Sequence, residues 1–212
     1  MERKRKMLDL FSGLGGASEA FVDNGWIVTR IENNPVFGPG GEHYVAFTKT
    51  IDVMDDIDKL YHGDVDFLWA SPPCYEFSTA YMSIRSRKAR LGLEHKPDMT
   101  LIERTIELID IIKPRYWAIE NVVGASKYFQ PLLGKHRLLV GSAMLWGNFP
   151  IIGFEALERA YKKKKGDLAR WSDIRANERA KIPYWLSEQM RISVQYQMTI
   201  DDFEQSLSKS RG

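Results

Sequence analysis

The chemistry available to this sequence centres on the thiol of Cys74, the only cysteine among the 212 residues. It follows an apolar, strand-like run at residues 65–70, on a turn stiffened by Pro72 and Pro73. Proline donates no backbone hydrogen bond, so the predicted strand ends at this turn. A thiol held at the end of a strand can serve as a nucleophile, whereas most free cysteines are small, buried apolar residues. From its position alone, both interpretations of Cys74 stay open.

A carboxylate occupies a similar place on a later segment. The apolar run at residues 116–119 leads directly into Glu120. In an open α/β sheet the carboxyl ends of the parallel strands form the ligand-binding edge, so we expect Glu120 and Cys74 at the same edge. Glu120 could also be a capping residue, but a charge that ends a nearly continuous apolar run is better explained by a functional role.

The start of the chain has the pattern of a nucleotide site. An apolar run at residues 7–11 is followed by a G-x-G-G turn and a predicted helix, which directs backbone N–H groups at a ligand. A tight turn without a ligand is the alternative. Glu32 ends the second predicted strand, about 20 residues later, which favours ribose binding over capping. Asp52 ends a third predicted strand at residues 50–53, where it would contact an adenine amine or cap the next helix.

Alternating strands and helices must position these residues, and they predict an α/β fold with a doubly wound, mostly parallel sheet. A helix with an apolar stripe and a capping box between Thr100 and Glu103 is predicted after the strand that carries Cys74. An antiparallel strand pair is predicted at residues 136–146. One helix is predicted after Pro183, and a separate short helix from Thr199.

The composition is that of a soluble globular protein, with 44% hydrophobic and 27% charged residues. A single cysteine excludes an internal disulfide, and no apolar run approaches the roughly 18–20 residues that cross a bilayer. No signal peptide is recognised. We therefore expect a soluble, cytoplasmic protein without a membrane partner, and we predict no metal site.

Positive charge is clustered, although the net charge is only +2. One basic run lies at residues 3–6. A second lies in the weakly periodic segment at residues 76–96, which is predicted to be a mobile lid, and a third lies at residues 162–165. A single basic run is most often a solvated surface, but three runs favour a polyanionic partner. The candidate nucleic-acid-binding residues are Arg85, Arg87, Lys88, Arg90, Lys162, Lys163 and Lys164.

Three ordered segments resemble the cytosine-5 DNA methyltransferases: residues 9–16 (DLFSGLGG), 71–74 (SPPC) and 120–122 (ENV). The resemblance implies a Rossmann-like fold that binds S-adenosylmethionine (AdoMet) at the glycine turn. It implies that Cys74 is the nucleophile, that Glu120 is its acidic partner, and that Arg137 lowers the pKa of the thiol; a surface salt bridge is the alternative for Arg137. The implied AdoMet contacts are Phe11, Ser12, Gly13, Gly15, Gly16, Glu32, Asn33, Asp52, Val53 and Pro72.

The sequence departs from the family pattern in four places. Tyr75 stands where the family usually has glutamine, and the family's paired arginines with a preceding glutamine are not cleanly present near Arg137. The late Gly-Asn-x-Val-Pro motif has only a loose counterpart at residues 180–183. Only residues 151–178 are available for target recognition, so we expect weak or short sequence recognition.

The resemblance therefore predicts three parts of the chain and one reaction. Residues 1–150 would form the catalytic AdoMet-binding domain, 151–178 a reduced target-recognition segment, and 179–212 C-terminal helices that pack back on the catalytic domain. The reaction would be methylation of carbon 5 of cytosine in duplex DNA. The alternatives are an RNA (tRNA) cytosine-5 methyltransferase and a catalytically silent nucleic-acid-binding relative, although the presence of both Cys74 and Glu120 disfavours the silent relative.

Overall fold

The computed structural model describes residues 3–55, 57–61, 64–80, 83–151 and 174–209. Across these ranges seven strands form one sheet: β1 (Lys6–Leu10), β2 (Ile27–Glu32), β3 (Thr48–Thr50), β4 (Phe67–Ala70), β5 (Tyr116–Val122), β6 (Leu138–Val140) and β7 (Ala143–Gly147). Their order in the sheet is β3-β2-β1-β4-β5-β7-β6. Strands β1 to β5 are parallel to one another, and β7 is antiparallel to both β5 and β6. The crossovers on both sides of β1 confirm the predicted doubly wound, mostly parallel sheet.

Six α-helices are described in the same ranges: α1 (Glu19–Asp23), α2 (Ile84–Arg90), α3 (Thr100–Ile112), α4 (Ser126–Leu133), α5 (Arg175–Ala180) and α6 (Tyr184–Lys209). They cover both faces of the sheet. On one face, Phe21 of α1 and Leu186 of α6 pack in one core with Phe67 of β4. On the other face, Ile109 of α3 and Phe129 of α4 pack in a second core. Burial on both faces explains why the strands read as nearly continuous apolar runs.

Helix α6 runs along the first of these cores as one element. Its buried residues recur every four positions, which places them on one face of the helix, and together with Ile182 they are Leu186, Met190, Val194 and Met198. Near its start, the Ser187 hydroxyl donates to the Ala17 carbonyl at 2.7 Å and accepts from the Ala20 N–H at 3.2 Å. The prediction of a separate short helix from Thr199 is wrong, because Thr199 lies inside this 26-residue helix.

Two predicted local features differ from the structure. Strand β3 ends at Thr50, so Asp52 lies beyond the strand and not at its last positions. Helix α3 has no capping box: the Asp98 carboxylate accepts from the Thr100 N–H at 2.9 Å, and no side-chain cap is made at Met99. The short aspartate side chain competes successfully here for a free N–H of the first turn.

The segment after Cys74 is more ordered than predicted. It contains α2, and Phe77 is only 3% exposed and packs against Phe129 in the second core. His95, at the end of the segment, binds the Glu76 carbonyl at 2.7 Å. The contact with Phe129 therefore attaches the start of the segment to the second core, and the hydrogen bond of His95 holds the end of the segment next to its start. Within the described ranges, no helix combines the length and apolarity needed to cross a membrane.

Candidate active site

A cavity of about 610 Å³ lies at the carboxyl edge of the parallel strands, within the roughly 300–1,000 Å³ typical of small-molecule sites. Cys74 and Glu120 both line it. They meet because β4 and β5 are hydrogen-bonded neighbours, with Ala70 opposite Ile119 in the register. The sequence-based expectation that these two groups share one edge of the sheet agrees with their placement.

The turn after β1 lines the same cavity. Its backbone is left-handed at Phe11 (φ 57°), a conformation that is uncommon for a residue with a Cβ atom. The Gly13 N–H donates to the Glu32 carboxylate at 2.9 Å, and the other oxygen of Glu32 accepts from the Asn34 N–H at 3.0 Å. Two backbone donors therefore orient Glu32 at the end of β2. Gly16 is required sterically, because a Cβ atom there would lie 2.4 Å from the Ile182 carbonyl oxygen.

Nine of the ten predicted AdoMet contacts line the cavity: Phe11, Ser12, Gly13, Gly16, Glu32, Asn33, Asp52, Val53 and Pro72. Gly15 is not among the lining residues. A Cβ atom on Gly15 would lie 2.6 Å from Nε of Arg30, so this glycine makes room for a buried side chain behind the turn. Asp52 lines the cavity, and its carboxylate accepts from the Met54 N–H at 3.0 Å in the turn that follows, before the short 3-10 helix at Ile57–Leu60.

A buried polar network lies behind the glycine turn. Asp9 is 1% exposed and accepts from the Ser18 hydroxyl at 2.6 Å. Arg30 donates from Nε to the Ser18 hydroxyl at 2.8 Å and from Nη2 to the Gly15 carbonyl at 3.2 Å. Burial raises the pKa of Asp9 to about 6, while the Ser18 hydrogen bond and the charge of Arg30 act in the opposite direction. Burial also lowers the pKa of Arg30, although it is opposed by the charge of Asp9.

The sequence motifs did not predict that Asp9, Ser18 and Arg30 form one hydrogen-bonded network. The signal was available in principle, because Asp9 and Arg30 interrupt two apolar strands with opposite charges. They are register partners across β1 and β2. Burying two opposite charges is costly unless they interact. Their positions in the sequence therefore indicated an interaction between Asp9 and Arg30 behind the turn.

The backbone around Cys74 is held in place by groups from β4 and β5. The Asn121 side chain donates to the Pro72 carbonyl at 2.9 Å. The Trp69 indole N–H donates to the Ser71 hydroxyl at 2.8 Å. The Cys74 carbonyl accepts from the Phe77 N–H at 3.1 Å. The thiol is thus presented on a fixed turn whose position depends on both strands.

The electrostatics of Cys74 differ from the expectation. Burial raises the pKa of the Cys74 thiol, and the negative charge of Glu120 raises it further. The expected lowering by Arg137 is wrong, because Nε of Arg137 donates to the Phe149 carbonyl. The Arg137 guanidinium also lies 5.9 Å from the centre of the Phe149 ring. Arg137 precedes β6, which runs in the same direction as β5, so it enters from the amino side of the sheet, and it does not line the cavity.

The predicted nucleic-acid-binding residues that the structure describes all lie on α2, outside the cavity lining. Arg87 and Arg90 are exposed, and Arg85 and Lys88 are half-buried. Arg85 Nη1 donates to the Gly124 carbonyl at 3.3 Å. Lys162, Lys163 and Lys164 lie outside the described residues.

One wall of the cavity comes from a part of the chain to which sequence analysis assigned no site residue. It consists of Ala176, Asn177 and Arg179 of α5 and of residues 180–183. Asn177 Nδ2 lies 3.5 Å from the position of a Cβ atom on Gly13. This wall therefore packs directly against the glycine turn.

Comparison with known proteins places these features in context. The sequence profile described as C-5 cytosine-specific DNA methylase matches residues 5–129. The chain is 29% identical over 129 residues to the type II methyltransferase M.AgeI of Thalassovita gelatinovora, and the match covers 56% of this chain and 28% of that protein. The chain therefore spans little more than a quarter of this curated relative.

Two solved structures are also similar. One is a DNA modification methyltransferase encoded within a prophage (E. coli), with 19% identity and a TM-score of 0.40, covering 68% of this chain and 46% of that one. The other is a mutant of DNMT2 from Spodoptera frugiperda, with 22% identity and a TM-score of 0.36, covering 58% of this chain and 37% of that one.

Proposed function

The chain belongs to the C-5 cytosine-specific DNA methylase family, and from this premise we propose that it transfers a methyl group from AdoMet to carbon 5 of cytosine in duplex DNA. The observation that carries the proposal is that Cys74, Glu120 and the glycine turn line one cavity. A nucleophile, an acid/base group and a nucleotide-binding turn are thereby available to AdoMet and cytosine in the same cavity.

The residues of the cavity fit AdoMet. Glu32 is held by two backbone N–H groups at the end of β2, where a ribose diol can reach it. The Ser12 hydroxyl is buried, has no hydrogen-bond partner among the described residues and lies on the cavity lining, so it is available to a polar ligand. We propose that Glu32 and Asp52 hold the adenosine, with Phe11, Asn33, Val53 and Pro72 around it. When bound, AdoMet supplies the methyl group as a sulfonium, which is a strong methyl donor.

Cys74 is the proposed nucleophile. Its thiolate would form an S–C6 bond with cytosine, and the electrons of the C5–C6 double bond would then make carbon 5 nucleophilic. After carbon 5 has been methylated, a base removes its proton, the C5–C6 double bond re-forms, and the S–C6 bond breaks. The turn at Pro72 supports this role, because the Asn121 side chain holds the backbone just before Cys74 in place without the substrate.

Glu120 is the proposed acid. A protonated Glu120 would donate to N3 of cytosine and stabilise the charge that develops there when the thiolate adds. The structure adds a coupling to this role: ionised Glu120 raises the pKa of Cys74. When Glu120 becomes protonated on contact with the base, that contribution disappears, and formation of the thiolate becomes easier. We propose that docking of the base and activation of the nucleophile are linked in this way.

DNA contact is proposed for the basic residues outside the cavity. A cytosine inside a duplex must leave the stack to reach Cys74, and phosphate contacts would hold the duplex while it does so. The basic helix α2 begins ten residues after Cys74 and is therefore suited to this task, with Arg85, Arg87, Lys88 and Arg90. We keep residues 151–178 as the proposed target-recognition segment, with Lys162, Lys163 and Lys164 as phosphate contacts.

The test is methyl transfer from labelled AdoMet to duplex DNA, single-stranded DNA and tRNA, followed by nucleoside analysis. We expect labelled 5-methylcytosine from duplex DNA. Cys74→Ser should abolish it while binding of S-adenosylhomocysteine is retained, because the serine hydroxyl is a much weaker nucleophile. Label in tRNA alone would replace the DNA substrate by RNA. Turnover by the Cys74→Ser variant would refute the covalent route.

A further inference from the structure

We propose that Arg104 of α3 is a positioning residue for the turn at residues 52–55, and that it thereby determines how strictly the cavity selects an adenine amine. The inference rests on the proposed function, because it assumes that AdoMet occupies the cavity with its adenine at Asp52. It deepens that function by assigning the selection of the base in part to a side chain that does not itself line the cavity.

Arg104 is hydrogen-bonded to the backbone of this turn. Its Nε donates to the Val53 carbonyl at 3.1 Å, and its Nη2 donates to the Asp55 carbonyl at 3.0 Å. Its Nη1 donates to the Glu107 carboxylate, further along α3, at 2.7 Å, which orients the guanidinium. The side chain is only 12% exposed, and the fixed geometry of a guanidinium lets it bind both carbonyls at once. Arg104 therefore holds the turn against α3.

The same turn carries residues that are proposed to surround the adenine. Asp52 and Val53 line the cavity, and Val53 is only 5% exposed. Within the turn, the Asp55 N–H donates to the Asp52 carbonyl at 3.0 Å, and the Met54 N–H donates to the Asp52 carboxylate at 3.0 Å. These two hydrogen bonds fix the carboxylate relative to the turn. A displacement of the turn would therefore move the carboxylate with it.

The turn lies beyond the end of β3, so its position depends on contacts outside the regular sheet. On the side of the sheet, the Ile51 N–H donates to the Glu32 carbonyl at 3.2 Å, and the Asn33 side chain donates to the Asp52 carboxylate at 3.2 Å. On the opposite side, Arg104 provides hydrogen bonds from α3. Groups that contact a ligand need such support to keep a fixed geometry. We infer that Arg104 gives this support to the carboxylate of Asp52.

The consequence is selectivity for the base. A carboxylate only accepts hydrogen bonds, so Asp52 favours an amino group over an oxygen at carbon 6 of a purine. The distinction depends on a short and well-aligned hydrogen bond, which weakens steeply when its angle is wrong. Loss of Arg104 should therefore reduce the preference for an amino group more than it reduces the affinity for the rest of the ligand.

The experiment compares two ligands on the full chain by calorimetry. S-adenosylhomocysteine carries the amino group, whereas S-inosylhomocysteine carries an oxygen in its place. The wild type should prefer S-adenosylhomocysteine roughly 10- to 100-fold, because the other ligand places an oxygen against Asp52. Arg104→Met, which cannot donate, should reduce this preference by at least about fivefold and leave the affinity for S-inosylhomocysteine within about threefold of the wild type. Arg104→Lys keeps a positive donor, which reaches only one of the two carbonyls, and should give an intermediate preference.

Arg115→Met is the matched control, because Arg115 also donates to a backbone carbonyl, that of Met198 at 3.2 Å, and forms ion pairs with α6. Arg115 does not line the cavity, so its substitution should lower the stability and leave the preference unchanged. An unchanged preference in both Arg104 variants, or the same loss of preference in Arg115→Met, would overturn the role of Arg104. Equal affinity of the wild type for the two ligands would also overturn it, because Asp52 would then not distinguish them. Absence of S-adenosylhomocysteine binding by the wild type would instead refute the proposed function.

Discussion

The buried carboxylate of Asp9 should make the protein less stable as the pH rises from about 4 to about 7. Burial raises the pKa of Asp9 from 3.8 to about 6 in the folded protein. Between these two values the folded state binds more protons than the unfolded state, so stability falls as the pH increases. The contribution of Asp9 is fully present below the unfolded pKa and is lost once the pH exceeds the folded pKa.

The size of the effect follows from the shift. One pKa unit corresponds to 1.36 kcal/mol, so a rise from 3.8 to about 6 amounts to about 3 kcal/mol. This is a substantial part of the roughly 5–15 kcal/mol that stabilises a typical domain. Asp9→Asn has nearly the same shape, keeps an oxygen that accepts from Ser18, and cannot titrate.

The assay is urea unfolding of the wild type and of Asp9→Asn at several values of pH between 4 and 7. The difference between the two free energies of unfolding removes the contribution of the other carboxylates. This difference should change by about 3 kcal/mol to the disadvantage of the wild type, equivalent to roughly 6–12 °C in Tm. Ser18→Ala removes the hydrogen bond that opposes the shift, so the transition should move to higher pH. If the difference between the two free energies of unfolding did not change with pH, or changed in favour of the wild type as the pH increased, this account of Asp9 would be refuted.

Two further predictions concern the site itself. Glu120→Gln should accelerate alkylation of Cys74 by iodoacetamide at neutral pH, because it removes a negative charge that raises the pKa of the thiol. The same substitution should lower the rate of methyl transfer by a factor of about 10²–10³. Alkylation is measured by mass spectrometry, and an unchanged or slower rate would contradict the coupling between Glu120 and Cys74. Gly16→Ala should cost about 1–3 kcal/mol in urea unfolding and at least tenfold in S-adenosylhomocysteine affinity, because its Cβ atom would lie 2.4 Å from the Ile182 carbonyl oxygen. The control is Gly25→Ala, where φ is 77° and, apart from the adjacent residues, no atom of the described residues lies within 4 Å of the added Cβ position. It should affect stability alone, and equal affinity losses in both variants would rule out the packing explanation.

The segment after Cys74 shows where local sequence reasoning fails. Its weak periodicity predicted an irregular segment, but residues Ile84–Arg90 form α2. The buried contact between Phe77 and Phe129 joins positions 52 residues apart. Contacts between residues so far apart in the sequence determine the conformation of a polar segment. A prediction from neighbouring residues cannot include them, because the two partners do not occur in the same short stretch of sequence.

Arg137 shows the same limit for a charged residue. The antiparallel strand pair that follows it was predicted correctly, because two short apolar runs separated by a Gly-Ser turn specify it locally. The direction of β6 within the sheet decides that Arg137 enters from the amino side and reaches Phe149. The sequence-based prediction had Arg137 lowering the pKa of the Cys74 thiol. In the structure the charge that acts on this thiol is the negative charge of Glu120, which raises its pKa.

The chemical groups, and the edge of the sheet at which they lie, could be predicted from the amino-acid sequence. Apolar runs that end at Cys74, Glu120 and the glycine turn place these groups at the carboxyl ends of parallel strands, because strand boundaries depend on local hydrophobicity, proline and glycine. Their surroundings could not be predicted in this way: the Asp9–Ser18–Arg30 network, the raised pKa of Cys74 and the α5 wall at the turn. These features depend on desolvation and on contacts between distant segments, such as that between Gly16 and Ile182, and such contacts exist only once the chain has folded.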